Sequence, residues 1–172
     1  AAGCDSIHTL NATINYSNSN NSSIIACDTF NWNGQIITTT GTYTQVLTNI
    51  DGCDSTHTLN VTINNSPTAF AGNDATICSD TSYIVNGVAT NDSLVLWTTS
   101  GDGYFTYPNQ NNTRYNPGNN DINTGSVTLT FTSIGYHPCG NAVDQMNLNI
   151  TNEPTAFAGN DATICSDTSY IV

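Results

Sequence analysis

Residues 52–64 have the sequence GCDSTHTLNVTIN, which alternates between two kinds of side chain from Thr56 onward. From residue 56 to residue 64, the even-numbered positions carry only threonine and asparagine. The odd-numbered positions are aromatic or aliphatic: His57, Leu59, Val61 and Ile63. A period of two places the two sets on opposite faces of an extended chain, so the stretch predicts a half-buried β-strand. Asp51-Gly52, immediately before it, is typical of a tight hairpin turn.

Two repeats extend outward from this stretch. Residues 3–15 (GCDSIHTLNATIN) match residues 52–64 at all but two positions, with an offset of 49 residues. Residues 67–85 (PTAFAGNDATICSDTSYIV) return without change as residues 154–172, with an offset of 87 residues. Self-similarity at fixed spacing is the signature of tandem modules, here of two types.

The repeats divide the chain into four parts. Residues 1–15 are predicted to be the last strand of a preceding small module, and residues 16–64 a complete small module. Residues 65–152 form a complete larger module, and residues 153–172 begin the next one. Because this division cuts a module at each end, we expect the chain to be a stretch of a longer repetitive protein.

Both module types are predicted to be built from strands. The small module shows candidate strands near residues 22–26, 29–32, 35–38, 42–48 and 55–64, with a hairpin turn at Asn33-Gly34. The larger module has about eight short candidate strands, and no segment keeps helical periodicity over ten residues. We therefore predict an all-β chain in which small β-modules and an immunoglobulin-like β-sandwich follow one another as beads on a string.

Composition narrows the class of partner. The 172 residues carry a net charge of −12 and a single basic residue, Arg114, whereas asparagine and threonine make up about a third of the chain. Binding to nucleic acid or to an anionic membrane surface requires clustered lysine and arginine, so neither partner is expected. No apolar run approaches the ~20 residues of a membrane-spanning helix.

Six cysteines in so polar a chain predict an oxidising, extracellular environment and disulfide bonds that support small cores. The simplest pairing lies within modules, Cys27 with Cys53 and Cys78 with Cys139, and a bond between modules is the alternative. Cys4 and Cys165 are then half-pairs whose partners lie outside this stretch. No two cysteines have the CxxC spacing of zinc or redox sites. The order Cys78, Trp97, Cys139 is that of immunoglobulin domains, but Cys139 precedes the last strand, so we expect a bond at the end of the sandwich.

The sequence contains residues of types that catalyse reactions, but not in the spacing of any known catalytic motif. His8 and His57 occupy one position of a repeat, and His137 stands alone in a loop, so we expect no enzyme and no cofactor. Asp102 is interpreted as a turn residue. Asn73-Asp74, repeated as Asn160-Asp161, lies where modules meet and could supply oxygen ligands to Ca²⁺, or could simply form a turn. The aromatic residues that could form a sugar-stacking platform are better explained as core of the small module: Phe30, Trp32 and Tyr43.

The two repeats resemble modules of giant cell-surface proteins of Bacteroidota. The likeness of the small module rests on residues 27–34 (CDTFNWNG), 41–43 (GTY) and 52–59 (GCDSTHTL). That of the larger module rests on residues 71–78 (AGNDATIC), 97–103 (WTTSGDG), 115–118 (YNPG) and 125–130 (GSVTLT). The resemblance implies export by the type IX secretion system and a role as an adhesin, a gliding-motility adhesin or a filament, and it offers no catalytic residues.

The resemblance also implies O-glycosylation at Asp-Ser/Thr motifs, which would place glycans on Ser6, Ser55 and Ser93; ordinary turn and strand hydroxyls are the alternative. The function predicted from the sequence is a stalk or fibre segment of a repetitive surface adhesin. Its expected partners are neighbouring modules of the same chain and other copies in a fibre, with an unidentified surface glycan or protein as ligand. The alternative is a carbohydrate-binding or accessory module of a secreted polysaccharide-active enzyme.

Overall fold

A computed structural model describes residues 9–152, 154–166 and 169. Contacts within the chain define two compact units. The first comprises residues 1–66 together with residues 135–140, and the second comprises residues 67–134 and 141–172. A short loop from the later part of the sequence therefore belongs to the first unit.

The first unit is built on a three-stranded sheet of order β1-β5-β4. β1 pairs with β5 in parallel, and β4 pairs with β5 in antiparallel orientation. A separate hairpin joins β2 to β3 through Asn33 and Gly34, whose φ angles of 50° and 88° are left-handed, as the predicted Asn-Gly turn requires. The strands are β1 (Asn18–Cys27), β2 (Phe30–Trp32), β3 (Gln35–Ile37), β4 (Gly41–Thr48) and β5 (Asp54–Asn64).

The core of the first unit is small. Ile37, Leu59 and Val61 are buried. The alternation predicted for β5 is confirmed at Leu59 and Val61. Five partly buried side chains pack against this cluster: Ile24, Phe30, Trp32, Tyr43 and Ile63. The interpretation of the three aromatic residues as core is therefore confirmed.

Residues 9–15 show that the repeated sequence alone does not make a strand. They match residues 58–64 of β5 closely, yet they have no regular secondary structure. Leu10 is 87% exposed, whereas its counterpart Leu59 is 5% exposed. The difference follows from pairing, because β5 lies between β1 and β4 and no strand pairs with residues 9–15 in the part of the chain that the structure describes.

The second unit is a β-sandwich. One sheet has the order β10-β13-β14-β7, the other has the order β11-β12-β8, and β6 pairs with β9. This arrangement confirms the all-β fold class. The elements are β6 (Thr68–Phe70), β7 (Ala75–Cys78), β8 (Tyr83–Asn86), β9 (Val88–Thr90), β10 (Asp92–Thr99), β11 (Tyr104–Phe105), β12 (Asn112–Asn116), α1 (Asn119–Thr124), β13 (Ser126–Gly135) and β14 (Asn141–Thr151).

The aromatic centre of the sandwich is Trp97. Its ring centroid lies 4.7 Å from that of Phe131 and 5.5 Å from that of Phe105, and its indole N–H donates to the carbonyl of Asn111 at 3.2 Å. Such ring pairs stabilise a core beyond their buried area. The core of the second unit is formed around them by alternate residues of β13 and β14, including Leu129 and Leu148.

The helix α1 was not predicted. It has only six residues, too few for periodicity to reveal it, and it begins after Gly118 and ends at Gly125, whose φ of 76° is the left-handed conformation that favours glycine. Among the described residues, no helix is long and apolar enough to cross a membrane.

Ser133 is a buried polar residue in the core of the second unit. Its side chain is fully buried on the same face of β13 as Phe131, and its hydroxyl has no hydrogen-bond partner among the described residues. A buried hydroxyl without a partner costs free energy, so we expect Ser133→Ala to raise the free energy of unfolding by about 1 kcal/mol in urea denaturation.

The matched control for this prediction is Ser93→Ala, because the Ser93 hydroxyl donates to the carbonyl of Ile134 at 3.0 Å. That variant is expected to lose about 0.5–1 kcal/mol. A loss of stability in Ser133→Ala of the same size as in Ser93→Ala would show that the Ser133 hydroxyl is hydrogen-bonded after all.

Candidate functional site

The structural feature that most constrains the chain is a disulfide bond between Cys27 and Cys139, 112 residues apart in sequence. Cys27 is the last residue of β1, and Cys139 lies in the loop between β13 and β14. Their Cα atoms are 5.1 Å apart, within the usual range for a disulfide. Both cysteines lie in the first unit, because the loop of residues 135–140 belongs to it.

This bond corrects the predicted pairing. Cys27 does not pair with Cys53, because β1 and β5 run parallel: Cys27 lies opposite Asn64 at the end of β5, whereas Cys53 immediately precedes its start. The length of that strand, about 33 Å, separates two residues whose Cα atoms would have to be within about 7 Å.

The same geometry excludes the second predicted pair. Cys78 lies opposite Thr151, the last residue of β14, whereas Cys139 precedes Asn141, the first residue of that strand. Cys53, which is partly buried, and Cys78, which is exposed, form no disulfide within the part of the chain that the structure describes. The bond that forms joins residues assigned to two different repeats, which was the alternative left open by the sequence.

Hydrogen bonds surround the disulfide. The backbone N–H of Asp28 donates to the carbonyl of Asn64 at 2.7 Å, and the side-chain amide of Asn64 donates to the carbonyl of His137 at 2.8 Å. The Asp28 carboxylate accepts from the backbone N–H and the hydroxyl of Ser66, at 2.8 and 2.6 Å. We call this group the disulfide clasp: Cys27, Asp28, Asn64, Ser66 and Cys139.

His137 contacts the clasp through its backbone carbonyl, which accepts from Asn64, so its imidazole has no part in these contacts. Asp28 has a φ of 60°, a left-handed conformation that aspartate and asparagine tolerate better than most residues. Sequence reasoning missed Asp28, although its position directly after Cys27 is a usable signal once the disulfide is known. The clasp joins the ends of β1 and β5 to the loop of residues 135–140.

The clasp is expected to weaken in acid. The hydrogen bonds from the hydroxyl and then the backbone N–H of Ser66 hold the pKa of Asp28 below its ordinary value of 3.8. A lowered pKa means that the folded state favours the carboxylate, so this contribution is complete above pH 3.8 and is lost as the pH falls through the lower folded value. We expect thermal unfolding of the first unit to shift to lower temperature over that range.

The control for the acid prediction is Asp28→Asn, which keeps the left-handed backbone but cannot titrate. Its transition should depend less steeply on pH below 3.8 than that of the unmodified chain. Equal slopes for the two chains would contradict the assignment of this pH dependence to Asp28.

A second polar cluster lies inside the sandwich, centred on the buried carboxylate of Asp121. One of its oxygens, Oδ2, accepts from the hydroxyl of Tyr115 at 2.6 Å and from the backbone N–H groups of Gly103 and Gly118 at 3.0 and 2.9 Å. The other oxygen, Oδ1, accepts from the backbone N–H of Asp102 at 3.2 Å. We call Asp121, Tyr115 and these donors the Asp121 network.

Asp102 has a related structural role. Its carboxylate accepts from the backbone N–H groups of Asn120 and Asp121 at 3.1–3.2 Å, which satisfies donors at the start of α1. A Cβ atom on Gly118 would lie 2.1 Å from a carboxylate oxygen of Asp102, so glycine is required there. The predicted turn residue therefore joins the Gly101–Gly103 turn to the helix.

Burial of the Asp121 network changes the acidity of its phenol. Burial, followed by the hydrogen bond to Asp121, raises the pKa of Tyr115 far above its ordinary value of 10.0. Asp121 is 2% exposed and Tyr115 is fully buried, so neither group faces solvent. The hydrogen bonds of the network join β12, the Gly101–Gly103 turn and α1.

The predicted glycosylation sites differ in accessibility. Ser55 lies in β5 and is only 5% exposed, so its hydroxyl could be modified only before folding or after the strand end opens. Ser93 is exposed, and its hydroxyl donates to the carbonyl of Ile134. Ser6, Cys4 and His8 lie outside the described residues.

The proposed calcium position is already used by a protein contact. The Asp74 carboxylate accepts from the backbone N–H of Asn147 at 2.7 Å, which ties the chain before β7 to β14. Within residues 9–152, 154–166 and 169, no group of three or more acidic, histidine or cysteine side chains could hold a metal ion. Calcium at Asn73-Asp74, or at the repeated Asn160-Asp161, stays a prediction.

Comparisons with known proteins give remote structural similarity. No protein-family model and no curated protein matches the chain. Solved structures that match include "Drosophila OTK, extracellular domains 3-5" (15% identity, TM-score 0.44, covering 72% of this chain and 46% of that one). Another is "Sidekick-1 immunoglobulin domains 1-4" (14% identity, TM-score 0.33, covering 73% of this chain and 39% of that one). A third is "Protocadherin gammaB7 EC3-6 cis-dimer structure" (10% identity, TM-score 0.38, covering 77% of this chain and 46% of that one). The match spans less than half of each of these structures.

Proposed function

We propose that this chain is a structural segment of a repetitive extracellular surface protein, a stalk or filament that carries tension. The observation that supports the proposal most strongly is the Cys27–Cys139 bond, which lies across the central part of the chain. The tandem repeats at offsets of 49 and 87 residues supply the second support, because repetition extends a structure without changing its chemistry.

The disulfide bond supports an extracellular location. Disulfides form and persist in oxidising compartments, and among the described residues the core cluster of the first unit has three buried aliphatic side chains. So small a core gains much from a covalent bond. The resemblance of both repeats to modules of Bacteroidota surface proteins supports the finer proposal of an adhesin on a bacterial cell surface, exported by the type IX route.

The bond gives tension a short path. A force pulling on the two ends of the chain enters through β1, crosses from Cys27 to Cys139, and leaves through β14. Residues 28–138 lie outside that covalent path. They include all of β2 to β13 and the loop up to Cys139. While the bond is intact, the strands inside this loop, among them β4, β5 and β13, carry no tension along their own backbone.

Single-molecule stretching of the chain, attached at its two ends, tests this role. In the oxidised chain, residues between Cys27 and Cys139 cannot extend. Reduction should therefore lengthen the fully stretched chain by about 390 Å, which is the 112-residue separation multiplied by about 3.5 Å per residue. The Cys78→Ser variant should behave like the unmodified chain. Equal stretched lengths before and after reduction would refute a tension-bearing disulfide.

Glycans are proposed for Ser6 and Ser93, and for Ser55 only where modification precedes folding. The mass of the protein isolated from a Bacteroidota host, compared with that from a host lacking the glycosylation pathway, tests this directly. Substituting Ser93 with alanine should remove one glycan mass. An unchanged mass would leave Ser93 as an ordinary strand hydroxyl.

The alternative function, a carbohydrate-binding module, gains nothing from the aromatic residues first considered for it. Phe30, Trp32 and Tyr43 are each partly buried and pack against Ile37, Leu59 and Val61. They do not form an exposed platform. A role in binding sugar would need another surface.

A further inference from the structure

The outer face of the β11-β12-β8 sheet differs chemically from the rest of the molecule. Residues of β12 alternate, so that Thr113 and Tyr115 point into the sandwich and Arg114 points to solvent. Arg114 is the single basic residue in a chain with a net charge of −12. It lies opposite Ile84 of β8, which is 53% exposed.

A shallow groove of about 260 Å³ opens beside Arg114. An exposed aromatic residue, Tyr107, lines it together with the side chains of Ile84, Thr106 and Asn112. Among the residues that the structure describes, no carboxylate lines the groove. Its volume is just below the lower end of the range for small-ligand sites, so it suits one short unit of a larger ligand.

The groove is held in place by contacts behind it. The backbone N–H of Tyr107 donates to the hydroxyl of the buried Thr113 at 3.0 Å. The Arg114 guanidinium donates to the Ser82 hydroxyl at 2.6 Å, which leaves its other N–H groups available, and no carboxylate pairs with it among the described residues. Because Ser82 is neutral, the positive charge of Arg114 is not compensated by this contact and can attract an anionic ligand.

We infer that this groove binds a carboxylate-bearing oligosaccharide, a uronic-acid unit of an acidic glycan. The planar guanidinium of Arg114 matches a carboxylate with two parallel N–H donors. The exposed Tyr107 ring and Ile84 offer an apolar surface for the C–H face of a sugar ring, and Asn112 and Thr106 offer hydrogen bonds to its hydroxyls. An acidic peptide would use the charge but not this combination of ring, amide and hydroxyl groups.

Titration of the chain with tetragalacturonic acid, followed by NMR of its backbone amides, tests the inference. The control ligand is the methyl-esterified tetrasaccharide, which keeps the sugar and removes the charge. We expect shifts confined to β8, β12 and the Tyr107 loop, and at least tenfold weaker binding of the ester. Shifts that map elsewhere, equal binding of the two ligands, or no binding at millimolar concentration would overturn the inference.

Variants separate the charge from the ring. Arg114→Gln should weaken binding at least tenfold, and Tyr107→Ala should weaken it as well, whereas the matched surface variant Gln145→Ala on the other sheet should bind normally. All three positions are exposed, so the fold should be kept, which circular dichroism checks. Unchanged binding in Arg114→Gln would overturn the inference, and so would a glutamate oligomer that binds as tightly as the sugar. A lack of sugar binding would leave the stretching result, and so the structural role, unaffected.

Discussion

Replacing Cys27 with serine is expected to lower the free energy of unfolding by about 4–5 kcal/mol. The bond links residues 112 positions apart, and a crosslink that closes a loop of about 100 residues stabilises by about 4.7 kcal/mol in the chain-entropy description. Urea denaturation followed by circular dichroism measures the effect. Dithiothreitol should produce the same loss in the unmodified chain and none in the variant.

The matched control is Cys78→Ser, which removes an exposed thiol that forms no disulfide. We expect this change to alter stability by less than about 0.5 kcal/mol, as is usual for surface substitutions. If Cys78→Ser were as costly as Cys27→Ser, or if Cys27→Ser cost less than about 1 kcal/mol, the bond would not contribute as described.

The second large effect is expected at Asp121. Asp121→Ala leaves the N–H groups of Gly103 and Gly118 without their acceptor inside the sandwich, removes one of the two partners of the Tyr115 hydroxyl, and opens a cavity. Each buried donor left without its acceptor costs about 1–3 kcal/mol, so we expect a total loss of about 3–5 kcal/mol. Urea denaturation of the second unit, followed by Trp97 fluorescence, measures this loss directly.

Tyr115→Phe tests the phenol of the same network. It removes only the hydroxyl, which contacts Asp121 at 2.6 Å and Thr99 at 2.9 Å, so we expect a loss of about 1–2 kcal/mol. In a chain that carries both substitutions, the combined loss should be smaller than the sum of the two, because the residues share one hydrogen bond. Strict additivity would contradict a coupled network.

Alkaline pH gives an independent signature of this network. Since burial and Asp121 raise the pKa of Tyr115 above 10.0, the folded state keeps its proton more tightly than the unfolded chain. The resulting stability is complete below pH 10.0 and is lost as the pH rises beyond it. The stability of Tyr115→Phe should fall less steeply over that range, and an equal fall would show that other groups cause it.

The strands of the first unit could be predicted from the sequence because their signals are local. The alternation of residues 56–64 and the Asn33-Gly34 turn each specify a conformation within a few positions, and β5 and the β2-β3 hairpin follow them. Residues 9–15 carry nearly the same alternation without forming a strand, because pairing with neighbouring strands, not the pattern alone, completes a sheet.

The disulfide pairing could not be predicted from the repeats. Position in a module gives the order of cysteines but not the direction of the strands that carry them, and the parallel pairing of β1 with β5 places Cys27 at the end far from Cys53. Asp121 was missed for a similar reason. Its neighbours Asn119 and Asn120 make the segment look like a polar loop, and only the approach of the Gly101–Gly103 turn encloses its carboxylate.

The expected stabilisation, the proposed path of tension and the proposed extracellular location all rest on the Cys27–Cys139 bond, and peptide mapping without reduction tests that bond most directly. Trypsin would cut only at Arg114, so cleavage before aspartate is the better choice, since it places Cys27 in residues 5–27 and Cys139 in residues 121–143. We predict that these two peptides are recovered crosslinked, and that reduction separates them. Residues 5–27 crosslinked to 51–53, together with residues 74–79 crosslinked to 121–143, would contradict the structure and restore the pairing within modules.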